Sequence, residues 1–371
     1  MNTLDFLKNK ISTIQGQDID RALSFIEARW IRGKEFLGSP TGILCGAMTW
    51  VSHHELVLGV CQAGGFGILA SGSMAPKELA LHIEHLISAR CGPFGVNLIV
   101  FHPNFQDLID VCGQYKVSHI FLGGGLPSNA MFKSLNSYNI KPVAFAPSAA
   151  LAQRLIRSGA QALVIEGNEA GGHVGPVTTQ VLAQEILPVL GKEVPVFVAG
   201  GIGNGRGILS YLLMGASGCQ LGSRFVCTHE SQAHDAFKEA FIRAQARDAV
   251  LSYGIDEGLP VIPVRALANK ATKQFVSLQR SVLADIEKGT LSLEAGKMKV
   301  EHFWSGALYR AVVEGDVEHG SVMAGQSVGM IKSRESCEEV IQTLLKEMVE
   351  GVTDLQLGTP ENFIKEKVAF L

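Results

Sequence analysis

Charge is scarce in this chain. Only 18 % of its 371 residues are Asp, Glu, Lys or Arg, below the usual quarter, and the formal net charge is −3. That balance gives no electrostatic reason to bind nucleic acid or an anionic membrane. Long hydrophobic runs are missing as well. The longest uncharged stretch, 56–76, is broken by five glycines, so no membrane span is expected. Residues 1–13 have no apolar core of the kind a signal peptide needs, which makes a cytoplasmic protein the default. Cysteine occurs seven times, an odd number, with no C-x-x-C pair. The pattern excludes a disulfide framework and a structural zinc site, and no metal is expected. Disorder is excluded by a 47 % hydrophobic content.

Glycine is abundant, at 41 residues. The glycines cluster at the ends of short apolar runs at 41–48, 65–72, 94–100, 118–125, 141–148, 162–168, 194–201 and 218–225. Successive runs start about 25 residues apart, and each is nearly continuously apolar, as strands buried on both faces should be. Amphipathic segments lie between them. In 77–90, Leu79, Ile83, Leu86 and Ile87 form one stripe. Eight strand–helix alternations predict an α/β fold, a closed (β/α)8 barrel. A doubly wound sheet is the poorer match, because no G-x-G-x-x-G follows the first run. Beyond residue 250 the pattern turns to longer polar helices at 269–288, 303–314 and 335–350. The expected layout is a helical extension at 1–35, the barrel at 36–248, a helical region over its mouth at 249–335, and a C-terminal helix and tail at 336–371.

Ligands of such a barrel bind at the C-terminal strand ends. After the seventh run, Gly200, Gly201, Gly203 and Gly205 let backbone N–H groups approach an anion at a helix N-terminus. With the loop after the eighth run they form a candidate phosphate site; tight turning alone is the plainer reading. After the sixth run, His173 follows Gly171 and Gly172 and is available for acid–base work near neutral pH, or simply for capping the next helix. Asn97, inside an apolar run, needs a hydrogen-bond partner, either backbone or a heterocycle edge. Glu166 is a carboxylate at a strand end, to be paired with a cation or a ligand hydroxyl. Ala47 and Met48 offer small uncharged surface to a flat ring.

The segments GAMTWVS (46–52), GPFGVNL (92–98), EGNEAGGHVG (166–175), VAGGIGNGRG (198–207), LGSRF (221–225) and GDVEHGSVMAGQ (315–326) resemble nitronate monooxygenases. They also resemble their sister group, the FMN-dependent enoyl-acyl carrier protein reductase II. The resemblance implies an FMN-binding barrel. It places FMN contacts on Asn97, Glu166, Gly171, Gly201 and the stretch Gln220, Leu221, Gly222 and Ser223. Ala47 and Met48 would flank the flavin ring, Met323, Gly325 and Gln326 would close over it, and His173 takes the catalytic histidine's place. Where many nitronate monooxygenases have Gln, this chain has Glu166, and its EAGGH and GSVMAGQ segments lean towards the reductase branch.

Two activities follow. The first in rank is oxidation of alkyl nitronates or nitroalkanes with O2, His173 binding the anion or taking the α-proton. The alternative is reduction of an enoyl thioester, with NADH or NADPH as electron donor. Both take a small-molecule substrate, and a homodimer is the assembly to test. A flavin module without turnover and a flavin-free barrel acting on a phosphorylated sugar are the readings from other classes.

Overall fold

The computed structural model describes residues 3–10 and 18–357. Residues 1–2 and 11–17 of the expected N-terminal extension, and 358–371 of the expected tail, lie outside the described residues. Eight parallel strands form a closed barrel. They are β1 (Ile43–Cys45), β2 (Phe66–Ala70), β3 (Gly95–Ile99), β4 (His119–Gly123), β5 (Lys141–Phe145), β6 (Ala162–Glu166), β8 (Val196–Ala199) and β9 (Gly218–Leu221). Each lies within one of the eight apolar runs. The ring closes through β1 and β9, with Leu44 opposite Gln220.

Side chains alternate between the two faces of each strand, and here both faces are buried. Phe66, Ile68, Phe121, Val143, Val164 and Phe197 fill the interior. Val96, Leu98, Leu163, Ile165, Cys219 and Leu221 point outward into the layer shared with the helices. Helix Pro76–Ser88 shows the outer pattern: Leu79, Ile83 and Leu86 are buried. Ile87, expected on the same stripe, is 48 % exposed, since one residue past Leu86 the helix has turned its side chain outward. At the bottom, helix Asp18–Leu37 places Phe36 under the barrel. The buried His119 Nε2–H donates to the Phe36 carbonyl over 2.8 Å, and Lys141 Nζ donates to the same oxygen over 2.7 Å.

After β9 the chain leaves the barrel. It forms helix Asp235–Arg243 and then strands β10 (Ala249–Ser252) and β11 (Val264–Leu267), which with β7 (Gly172–His173) make a small antiparallel sheet. Helices Lys270–Glu287 and Leu293–Val312 follow. Their apolar faces meet in a separate core of Leu259, Val264, Phe275, Val282, Val300 and Trp304. The second of these helices starts at Leu293, earlier than the expected 303. Helix Cys337–Leu357 then returns to pack on helices Asp18–Leu37, His54–Gln62 and Gly205–Leu213, completing the outer ring. No described helix is long and apolar enough to cross a membrane.

Candidate active site

Strand alternation decides what faces the top of the barrel. Val96 and Leu98 point outward, so Asn97 between them points in. By the same rule Glu166 follows the outward Ile165, and Gln220 sits between the outward Cys219 and Leu221. Three polar side chains therefore crown an apolar interior. None is fully satisfied by protein. Asn97 Nδ2 donates to the Phe121 carbonyl over 2.9 Å, which leaves its Oδ1 without a protein donor. Gln220 Oε1 is buried and unpartnered, its amide lying against Gly46. Glu166 has no hydrogen-bond or ionic partner among the described residues, and burial pushes its carboxyl up to about 7. Gln220 Oε1, buried and unpaired, carries a penalty of about 1–3 kcal/mol, and with the open acceptors of the half-buried Asn97 and Glu166 beside it this surface is a place where a polar ligand completes the bonding.

The loops after β8 and β9 supply backbone donors beside this crown. Gly201 adopts φ +71°, the left-handed region that glycine enters freely. Short helix Ser223–Val226 begins at Gly222, which has no side-chain cap, and no loop hydrogen bond engages the N–H groups of Gly201, Gly222 or Ser223. Met48, on the loop after β1, faces Gly222: a Cβ there would lie 3.6 Å from the Met48 sulfur with no other neighbour within 4 Å. Ala47 precedes it, half-buried against the barrel interior. Arg224 of the same short helix is turned away and spent on Glu335, Nη1 to Oε2 2.6 Å.

Segment Ser321–Gln326 closes on the loop after β6 almost backbone to backbone. Gly325 N–H donates to Ser223 Oγ over 3.2 Å, and Gln326 N–H donates to the Glu169 carbonyl over 2.9 Å. A Cβ on Gly171 would fall 2.7 Å from Gly325 N, and one on Gly172 would fall 3.6 Å from Met323 Sδ. Met323, Gly325 and Gln326 are thus brought to Gly171, Gly172 and Ser223. Gly200, next to Gly201, packs instead against the loop after β6, its Cβ position 2.8 Å from Thr179 Oγ1.

His173 is held differently from a simple loop residue. It belongs to β7, opposite Val264 of β11, and its side chain is 41 % exposed. Its Nε2 lies 3.2 Å from Glu301 Oε2 on helix Leu293–Val312. Two turns further on, Tyr309 of that helix packs edge-on against Trp50, 5.1 Å between ring centroids. The helix therefore bridges the loops after β1 and β6. Trp50 has φ +67°, strained for a bulky side chain, and its buried Nε1–H has no partner.

Several supporting residues carry no signal in the sequence. Glu169 accepts from Thr179 N–H over 2.8 Å and Thr179 Oγ1 over 2.9 Å, fixing the loop to the start of helix Thr179–Leu190. Arg265 is buried, donating to the Asn168 carbonyl over 2.7 Å and the Ala249 carbonyl over 2.6 Å. Each is an ordinary charged residue until the fold supplies its partner. His53, His54, His82 and His85 gather on the outer wall, where burial brings His82 to about 4. No metal-binding cluster occurs among the described residues.

Comparison with known proteins places this geometry. The family model for nitronate monooxygenase matches residues 34–111 and 103–347. A (3aS,4S,5R,7aS)-5-hydroxy-7a-methyl-1-oxo-octahydro-1H-indene-4-carboxyl-CoA dehydrogenase of Mycobacterium tuberculosis is 28 % identical, over 88 % of this chain and 97 % of its own length. A probable nitronate monooxygenase of Staphylococcus aureus is 25 % identical, over 71 % of this chain and 87 % of its own. Among solved structures, FabK from Thermotoga maritima superposes with a TM-score of 0.76 at 36 % identity, covering 88 % of this chain and 98 % of that one.

Proposed function

The chain belongs to the nitronate monooxygenase family and is an oxidoreductase, and from that premise we propose that it is an FMN-dependent enzyme reducing the double bond of an enoyl thioester. The observation that carries the flavin is the crown of Asn97, Glu166 and Gln220, three inward polar groups with bonding capacity to spare beside free backbone donors. These residues fit FMN. Gly201, Gly222 and Ser223 hold the phosphate through N–H groups, as loops after the last two strands do in this fold. Asn97, Glu166 and Gln220 meet the polar edges of the cofactor. Ala47 and Met48 provide the uncharged flank of the ring, and Gly171, Gly172, Gly200, Leu221, Met323, Gly325 and Gln326 shape the enclosure. FMN supplies the two-electron chemistry.

The protein's own part is positioning and proton handling. The segment Ser321–Gln326 and helix Leu293–Val312 cover the mouth, holding substrate over the crown and excluding water. His173 exchanges a proton with the substrate carbon next to the activating group. Support for a thioester over a nitronate comes from the carboxyl-CoA dehydrogenase relative, matched over 97 % of its own length, together with the EAGGH and GSVMAGQ segments. This reverses the ranking drawn from sequence alone. Nitronate oxidation stays as the second reading because relatives of that name match at 25 % identity.

Steady-state assays separate the two. Loss of NADH or NADPH absorbance that depends on a crotonyl thioester supports the first reading. Oxygen consumption with alkyl nitronates, and none of that thioester-dependent loss, replaces it with the second.

A further inference from the structure

We infer that Glu301 is a positioning residue for His173, and that the nitrogen through which His173 meets substrate is Nδ1. The inference rests on the reading of His173 given above. Glu301 Oε2 lies 3.2 Å from His173 Nε2. An ionised carboxylate only accepts, so the proton between them resides on Nε2. In the neutral ring that leaves the lone pair on Nδ1, the arrangement by which an acidic partner sets the tautomer of a working histidine.

Glu301 is held for this task. Its neighbours Val300 and Trp304 are anchored in the core beneath helix Leu293–Val312. The cations on the same helix are engaged elsewhere: Lys297 pairs with Glu294 and Lys299 with Asp285. Among the described residues His173 is the ionic partner that remains to Glu301. The pair is about half exposed on both sides, so it adds little to stability, and a structural role explains it poorly. It does tie the histidine to the helix that covers the mouth, so proper orientation of the ring requires that helix to be docked. For the reduction the ring first carries a proton on both nitrogens; Nδ1–H gives its proton to the substrate carbon, whose electron pair forms the new C–H bond, and the neutral Nε2–H ring with its lone pair on Nδ1 is left.

The test compares Glu301→Ala, Glu301→Gln and His173→Ala, alone and combined, with ¹⁵N spectra of the histidine ring in flavin-free protein. Glu301→Ala is expected to lower kcat about 10- to 100-fold with KM held within about twofold. Glu301→Gln, which keeps an acceptor in place, recovers part of that loss. Neither change alters the residual turnover of His173→Ala. The native ring shows the Nε2–H tautomer and Glu301→Ala shows a mixture. Native kcat in Glu301→Ala, an equal loss in the His173→Ala background, or an unchanged tautomer overturns the inference. Full turnover by His173→Ala overturns the functional reading beneath it, whereas an inactive His173→Ala with an active Glu301→Ala overturns this inference alone.

Discussion

Gly222 faces Met48 across open space: a Cβ on the glycine would lie 3.6 Å from the methionine sulfur and meet nothing else within 4 Å. The backbone there has φ −110°, accessible to any residue. A larger side chain at Gly222 therefore enters the cofactor space without straining the fold. Gly222→Val should keep the native melting temperature and lose FMN, read as flavin absorbance per protein after gel filtration. Native flavin occupancy would remove Gly222 from the cradle. The same substitution at Gly201 is less informative, since φ +71° and a Cβ contact of 3.0 Å with Glu169 would disturb the backbone itself.

Glu166 should make stability fall with rising pH in flavin-free protein. Its folded carboxyl titrates near 7, above the ordinary 4.5, because burial disfavours the charge. The native state thus holds a proton that the unfolded chain has released, and stability is highest below pH 4.5 and lost as pH rises through 7. Glu166→Gln should flatten this decline, by roughly 1–3 kcal/mol between pH 5 and 8 in denaturant titrations. Parallel curves for the two proteins would contradict the assignment.

Glu169 acts as an acceptor at a helix start. Removing it in Glu169→Ala leaves Thr179 N–H and Oγ1 without their carboxylate, at a cost of about 1–2 kcal/mol. The loop after β6 loosens with it. Hydrogen exchange should rise first in 167–173, ahead of the barrel strands, and uniform exchange would show that the loop is held by other means.

His173→Ala should lower kcat by about 10²–10⁴-fold. Because the ring is 41 % exposed, flavin content and melting temperature should stay native. A variant that loses flavin instead would move His173 from the reaction to the cradle.

The eight barrel strands were legible because each needs only a continuous apolar run, and the runs recur at one spacing. The outer-ring helices were legible from residues such as Leu79 and Ile83. The three-stranded sheet was not: β7 is two residues long inside a glycine-rich loop, too short for any period to register. Of the crown, Asn97 and Glu166 stood out as polar residues in apolar runs, and the register now shows that both point inward. Glu301 and Arg265 were invisible. Their importance lies in a partner distant in sequence, His173 for one and the Asn168 and Ala249 carbonyls for the other.

The central claim is that a flavin in the barrel mouth passes electrons to a thioester brought under His173. The direct measurement is anaerobic: NADH or NADPH is added to the purified protein, followed by a crotonyl thioester, while the visible flavin band is recorded. The band should bleach with the nucleotide and return with the thioester in the absence of O2. A band that bleaches but returns only when O2 is admitted, or a protein with no such band, would contradict it.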